Sequence, residues 1–211
     1  MRELQKLAAN GHEYVDLGLP SGTLWATCNI GATKPEEYGD YFAWGETKPK
    51  SIYDWTTYKF VNGDIDKLTK YCDNSDWGNN GFTDNLTSLE SGDDAATANW
   101  GSDWCMPTKE QWKELLESTT DEWTMQNGVK GRLFTSKKNG KSLFLPAAGY
   151  RWDGDLNLVG SGGYYWSSSL LTGGPGYAWY FYFYSDRYSS MYDDYRSGGL
   201  SVRAVRSPRQ N

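Results

Sequence analysis

An α+β fold of short antiparallel strands, one or two helices and long loops is the class this sequence predicts, on three observations. One well-capped helix stands out near the middle of the chain. Runs that alternate apolar and polar residues read as short strands on either side of it, and clusters of Gly, Asn, Asp and Ser break the chain between them. With 211 residues the chain fits a single domain over residues 1–211, with residues 1–12 as a lead. At that size roughly 70% of the unfolded surface is buried on folding, enough for a core without staples.

Taken in order, Tyr14 to Thr27 reads as strand, Pro20-Ser21-Gly22 turn and strand, an opening hairpin. A short helical turn is expected between Pro35 and Glu46, and long loops from Trp44 to Gly81. A weaker helix covers Asp94 to Ala98. The clearest helix starts at Thr108, where Thr108-Lys109-Glu110-Gln111 is a capping box after Pro107. It ends near Ser118, with Trp112, Leu115 and Leu116 on one face. Arg132–Thr135 and Ser142–Leu145 flank Asn139-Gly140, a hairpin signal. Ala178 to Tyr184 alternates, placing Trp179, Phe181 and Phe183 on one sheet face and Tyr180, Tyr182 and Tyr184 on the other. The terminal strands are expected to pair near Tyr14–Leu17 and Ser201–Val205.

Composition excludes several function classes. The net charge is −6 with basic residues scattered, which points away from nucleic acid and anionic membrane surfaces. No apolar run reaches transmembrane length, and Met1 to Asn10 lacks the apolar core of a signal peptide. Cys28, Cys72 and Cys105 have no metal-type spacing, and their odd number is no disulfide framework. Buried thiols, or one bridge and one free thiol, both remain open. His12 has no nucleophile motif around it and reads as a strand-edge residue, so no catalytic residues are assigned and the chain is read as a non-enzyme. The carboxylate pairs Asp93-Asp94, Asp153 with Asp155, and Asp193-Asp194 could take Ca²⁺. Solvated loop acids are the plainer reading, so no cofactor or metal is expected.

The sequence changes character after Lys141. Every Lys lies at or before Lys141, every Glu at or before Glu122, and only Gln210 follows among the glutamines. Ten of the 16 tyrosines fall between Tyr150 and Tyr195, among dense Ser, Gly and Asp. An ordinary solvated surface uses Lys and Glu heavily. Tyr with Ser, Gly, Asn and Asp is the composition of a paratope, where rigid rings supply contact area and small polar residues adapt. The plainer alternative is an amphipathic or packed β-rich half.

Six strings in order resemble one bacterial family. They are His12 to Thr27, Tyr38 to Glu46, Trp104-Cys105-Met106-Pro107-Thr108, Leu145-Pro146-Ala147-Ala148-Gly149, Tyr165-Trp166-Ser167-Ser168-Ser169 and Ser201-Val202-Arg203. Together they resemble the bacterial major paralogous domain. The resemblance implies a C-type-lectin-like fold of the formylglycine-generating-enzyme type. That family's enzymatic branch binds copper through a cysteine pair in the C-terminal half, and here no Cys lies beyond Cys105. Cys105 also stands where the family usually carries Arg.

Within that group, residues 164–200 resemble the variable region of a diversity-generating retroelement variable protein. There, adenine-directed changes in template codons that keep a terminal pyrimidine cannot encode Lys, Glu, Gln, Met or Trp. The resemblance implies that Ala178, Trp179, Phe183, Ser185, Met191, Arg196, Gly199 and Ser201-Val202-Arg203 are scaffold. The displayed, ligand-binding set it implies begins with Tyr164, Leu171, Gly173, Gly174, Gly176, Tyr177, Tyr180, Tyr182, Tyr184 and Asp186. It continues with Tyr188, Ser189, Ser190, Tyr192, Asp193, Asp194, Tyr195, Ser197, Gly198 and Leu200. The function expected is a ligand-binding display domain, a diversified receptor or adhesin at a cell surface or on a virion, recognising an unknown protein or glycan, with no membrane insertion by this chain. The alternatives are a structural pilus or phage tail-fibre subunit and a fixed-specificity lectin.

Overall fold

The computed structural model describes residues 7–186 and 189–208. The opening segment forms β1 (Leu7–Ala9), β2 (His12–Val15) and β3 (Leu24–Asn29), followed by a two-residue strand β4 (Tyr41–Phe42). The region to Gly81 is irregular, as expected of its mixed rings and turn residues. Two helices follow, α1 (Ala95–Trp100) and α2 (Lys109–Ser118). Asp94 caps α1 by accepting from the Thr97 N–H at 2.9 Å. The predicted capping box on α2 is complete: Thr108 Oγ1 accepts from Gln111 N–H at 3.2 Å, and Gln111 Oε1 accepts from Thr108 N–H at 2.9 Å.

The rest is strand: β5 (Thr119–Gln126), β6 (Val129–Ser136), β7 (Ser142–Pro146), β8 (Tyr150–Trp152), β9 (Asp155–Asn157), β10 (Gly162–Leu170), β11 (Tyr177–Tyr184), β12 (Ser190–Tyr195), β13 (Leu200–Ser201) and β14 (Arg203–Arg206). The expected α+β, C-type-lectin-like class is therefore corrected. Among the described residues the chain is mostly β, with fourteen strands in several largely antiparallel sheets and only two α-helices, of 6 and 10 residues. A strong capping signal makes a short helix conspicuous in sequence, whereas strands of two to four residues leave almost no periodic trace.

The sheets run β1-β2-β3-β14, β12-β11-β10-β13-β4, β5-β6-β7 and β8-β9. The terminal strand does meet the opening hairpin, but through β3: Arg203 pairs with Asn29 and Val205 with Trp25, so β3 lies between β14 and the Tyr14 strand expected beside it. The helical turn expected between Pro35 and Glu46 is a β-turn, closed by Glu37 N–H to Lys34 O at 3.2 Å, and then β4. The strand β5 was not foreseen. Its turn into β6 is Asn127-Gly128, both at positive φ (48° and 83°), with Gln126 opposite Val129. Two successive positive-φ residues are what a primed hairpin turn needs, and Asn-Gly meets that need at low cost.

The β10–β13 sheet separates two cores. On one side Phe181 and Phe183 pack with Trp112, Phe134, Leu145 and Tyr165, Phe181 stacking on Trp112 at 4.6 Å. On the other, Trp166, Ala178 and Tyr180 pack with Trp44, Phe42 and Leu200. This second core also holds a cation: Arg196 is fully buried. It donates to Tyr58 Oη at 2.9 Å and to the carbonyls of Tyr71, Pro175 and Lys70 at 3.0, 2.7 and 3.0 Å, and lies 4.9 Å from the Trp44 ring. Carbonyl oxygens and ring faces supply the negative potential that a carboxylate would otherwise give.

All three cysteines are free; Cys28 and Cys72 are buried, but Cys105 is at the surface, against the buried-thiol expectation. Among the described residues no helix is long and apolar enough to cross a membrane.

Candidate functional site

Antiparallel register brings the predicted residues of three strands onto one sheet face. In β11, Tyr180 and Tyr182 lie opposite Tyr192 and Ser190 of β12, while Ala178 lies opposite Asp194. On the other flank, Tyr182 lies opposite Tyr164 of β10 and Tyr184 opposite Gly162. With side chains alternating along each strand, Tyr164, Tyr180, Tyr182, Tyr184, Ser190, Tyr192 and Asp194 share this face.

The hairpin β8–β9 closes over the face and turns it into a cleft of about 430 Å³. Tyr150, Trp152 and Leu158 come from the hairpin and the turn after it; Tyr164, Tyr180 and Tyr184 come from the sheet; Asp194 and Tyr195 come from its edge strand. Ring contacts fix the walls. Tyr150 meets Tyr164 edge-on at 4.9 Å, Tyr164 stacks with Tyr180 at 6.0 Å, and Trp152 tilts against Tyr195 at 5.9 Å. The Tyr164 hydroxyl donates to Tyr184 Oη at 2.6 Å. Burial, and then this hydrogen bond, hold the Tyr164 phenol well above its ordinary range; burial followed by the Asp194 charge does the same for Tyr180. Both rings are therefore neutral at physiological pH.

Asp194 is the one carboxylate among the described residues that line the cleft. Its Oδ1 accepts from the Tyr195 N–H at 2.7 Å. Burial, ahead of any other cause, pushes its carboxyl above the usual range, and neighbouring Asp193 adds to the shift. The Asp193-Asp194 pair is thus not a pair of solvated loop acids. Neither is Asp93-Asp94: Asp93 pairs with Lys59 at 2.7 Å and Lys70 at 2.6 Å, and Asp94 caps α1 and accepts from Met106 N–H at 2.8 Å. Among the described residues no group of three or more His, Cys, Asp and Glu converges as a metal site would require.

The other predicted residues go elsewhere. Tyr177 stacks on Tyr195 at 4.7 Å and meets the Trp77 ring edge-on. Asp193 lies opposite Trp179, on whose ring Lys109 Nζ sits at 3.0 Å. Ser189 Oγ donates to Asp121 Oδ2 at 2.6 Å. Leu171, Gly173, Gly174 and Gly176 lie in the loop before β11, where the Gly173 N–H donates to Asp73 Oδ2 at 2.8 Å. Asp186 and Tyr192 are exposed, Tyr192 at 60%. Ser197, Gly198 and Leu200 are inside the protein, Leu200 in the core with Trp166. Tyr188 lies outside the described residues.

Two glycines sharpen the distinction between frame and surface. A Cβ at Gly199, read as scaffold, would meet the Tyr53 ring at 2.6 Å, whereas at neighbouring Gly198 it would make ordinary contacts with Leu200 and Trp152 at 3.7 and 3.8 Å. Gly176 departs from the displayed pattern, because a Cβ there would meet Trp77 at 2.6 Å.

The sequence reading missed the hairpin wall. Its signal was present: Trp152 and Asp155 pair across a two-residue Asp153-Gly154 turn with Asp153 at φ 49°, and Asp-Gly between short alternating runs is a hairpin cue. Three-residue strands gave too little pattern to stand on.

No curated protein and no solved structure matches the chain. Residues 129–205 match the model of one family, described as a domain of unknown function, DUF8237, and that stretch contains every residue lining the cleft.

Proposed function

We propose that the chain is a ligand-binding display domain, a diversified receptor or adhesin that recognises a protein or glycan on another surface. The observation that carries this reading is the convergence of seven residues of the displayed set on one sheet face beside a cleft. Tyr, Ser and Asp on a rigid sheet give contact area at little entropic cost, while Phe181 and Phe183 on the sheet's other face, and Trp166 in the core beside Tyr180, hold the frame. The absence of Lys, Glu and Gln between Lys141 and Gln210 supports diversification through adenine-directed codon changes. In this reading the domain carries no catalytic chemistry and acts at a cell or virion surface, with neither nucleic acid nor membrane insertion involved.

The test is the DNA around the gene. A near-copy of the segment coding for Tyr164 to Val205 is expected beside a reverse transcriptase gene. Its differences should fall at adenines, on codons such as those of Tyr180, Tyr182, Tyr184, Ser190, Tyr192 and Asp194, and spare those of Phe181 and Phe183. Failure to find such a copy overturns the diversified reading in favour of a fixed lectin or a fibre subunit.

A further inference from the structure

We propose that the aromatic cleft binds an organic cation, an alkylammonium or guanidinium head, with Asp194 as its counter-charge; this rests on the reading of that face as a binding surface. Three observations lead there.

The first is the lining. Tyr150, Trp152, Tyr164, Tyr180 and Tyr195 surround a single carboxylate. Ring faces carry negative potential, so a box of neutral rings with one anion is complementary to a diffuse positive charge and poorly suited to an anion.

The second is how the molecule treats its other aromatic clusters. Trp44 and Tyr58 receive Arg196, at 4.9 and 5.3 Å; Trp179 receives Lys109 at 3.0 Å; Tyr14 and Trp104 receive Arg206, at 5.3 and 5.7 Å; Tyr41 receives Arg151 at 5.2 Å. The rings of the cleft receive none among the described residues. Cations on the elements around the cleft are already engaged: Arg151, on the same hairpin, is turned to Tyr41, Lys109 lies across the sheet on Trp179, and Arg132, which donates to the Tyr184 carbonyl at 3.1 Å, pairs with Asp121.

The third is the state of Asp194. Among the described residues no lysine or arginine pairs with it, and its one hydrogen bond in the protein is from its neighbour's N–H. A partly buried carboxylate without a cation is unfavourable unless something else supplies one. Its raised carboxyl pKa, caused chiefly by burial, fits a site whose charge is uncompensated until ligand arrives.

The full chain would be titrated with choline, n-butylammonium and n-butylguanidinium, and with 3,3-dimethylbutanol, the neutral isostere of choline, while ring resonances are followed by heteronuclear NMR. At least one cation is expected to bind at the cleft at least about tenfold more tightly than the neutral alcohol. Asp194→Asn, which keeps the shape, should weaken that cation about tenfold, and Asp193→Asn, which removes a neighbouring charge from the opposite face, less than about twofold. Preference for choline identifies a small quaternary ammonium as the source of the charge. Preference for butylammonium or butylguanidinium identifies a lysine or arginine side chain of a protein partner. Equal binding of the neutral alcohol, or cation binding indifferent to Asp194→Asn, overturns the proposal. If the DNA copy is found while all three cations fail, the display reading stands and only the ligand class falls.

Discussion

The two faces of β11 put the five successive aromatic residues from Tyr180 to Tyr184 to two different uses. Phe181 and Phe183 are fully buried and contact Trp112, Phe134 and Trp123, so their surroundings are rings and aliphatic chains throughout. Tyr180, Tyr182 and Tyr184 face the other way, and only Tyr180 is counted as buried, at 8% exposed. A phenol tolerates both conditions because its ring packs while its hydroxyl reaches water or another hydroxyl, as Tyr184 does with Tyr164. Period-2 alternation thus lets one strand hold the core with one set of side chains and present a surface with the next. Stability belongs to the first set and, through the second core, to Tyr180, while contact chemistry is left to Tyr182 and Tyr184.

The comparison breaks most easily at Phe181. Phe181→Ala removes a ring stacked on Trp112 in a site that cannot collapse readily, and should cost about 3–5 kcal/mol in urea unfolding. Tyr182→Ala removes a half-buried ring whose contacts are with Tyr180 and Tyr184 on the same surface, and should cost about 1 kcal/mol or less. Comparable losses at the two positions would mean that Tyr182 belongs to the second core with Tyr180 and not to a contact surface.

Much of this contrast was legible in the sequence, because strict alternation over Ala178 to Tyr184 leaves only the choice of which face is buried. The helix at Thr108 and both of its cap bonds were legible for a related reason, since a capping box is a local signal that needs no tertiary partner. The fold class was not. The strands β4, β8 and β13 have two or three residues each, and they exist because long-range partners hold them, as Gly199 N–H holds Arg151 O at 2.9 Å. The interior position of Arg196 was equally invisible, because a charged residue reads as surface until the acceptors that receive it, the Tyr58 hydroxyl and the carbonyls of Lys70, Tyr71 and Pro175, are assembled from three distant segments. The cleft fell between these cases: its floor was in the alternation, and its wall was in a hairpin too short to be seen.

The smallest expected effect has the most informative sign. The Asp194 carboxyl is held above its unfolded value, mainly by burial, so folding favours its protonated form. The associated stability is fully present below the unfolded carboxyl pKa, about 3.9, and is lost as pH rises through the folded value. At neutral pH the wild-type protein therefore carries a penalty that Asp194→Asn lacks. The variant should melt slightly higher than wild type at pH 7, by under about 1 kcal/mol in stability, and this advantage should shrink as pH falls through the raised folded value and be gone below about 3.9. Asp94, also raised by burial, titrates in both proteins and cancels in the difference. Melting both proteins across pH 3–8 without ligand checks this directly. A variant less stable than wild type at pH 7 would mean that Asp194 already has a favourable partner within the protein, and the cleft would then be a completed structural contact like that of Arg196. A variant more stable at pH 7 would mark Asp194 as a residue kept against stability, the trade expected where a surface is arranged for something outside the chain.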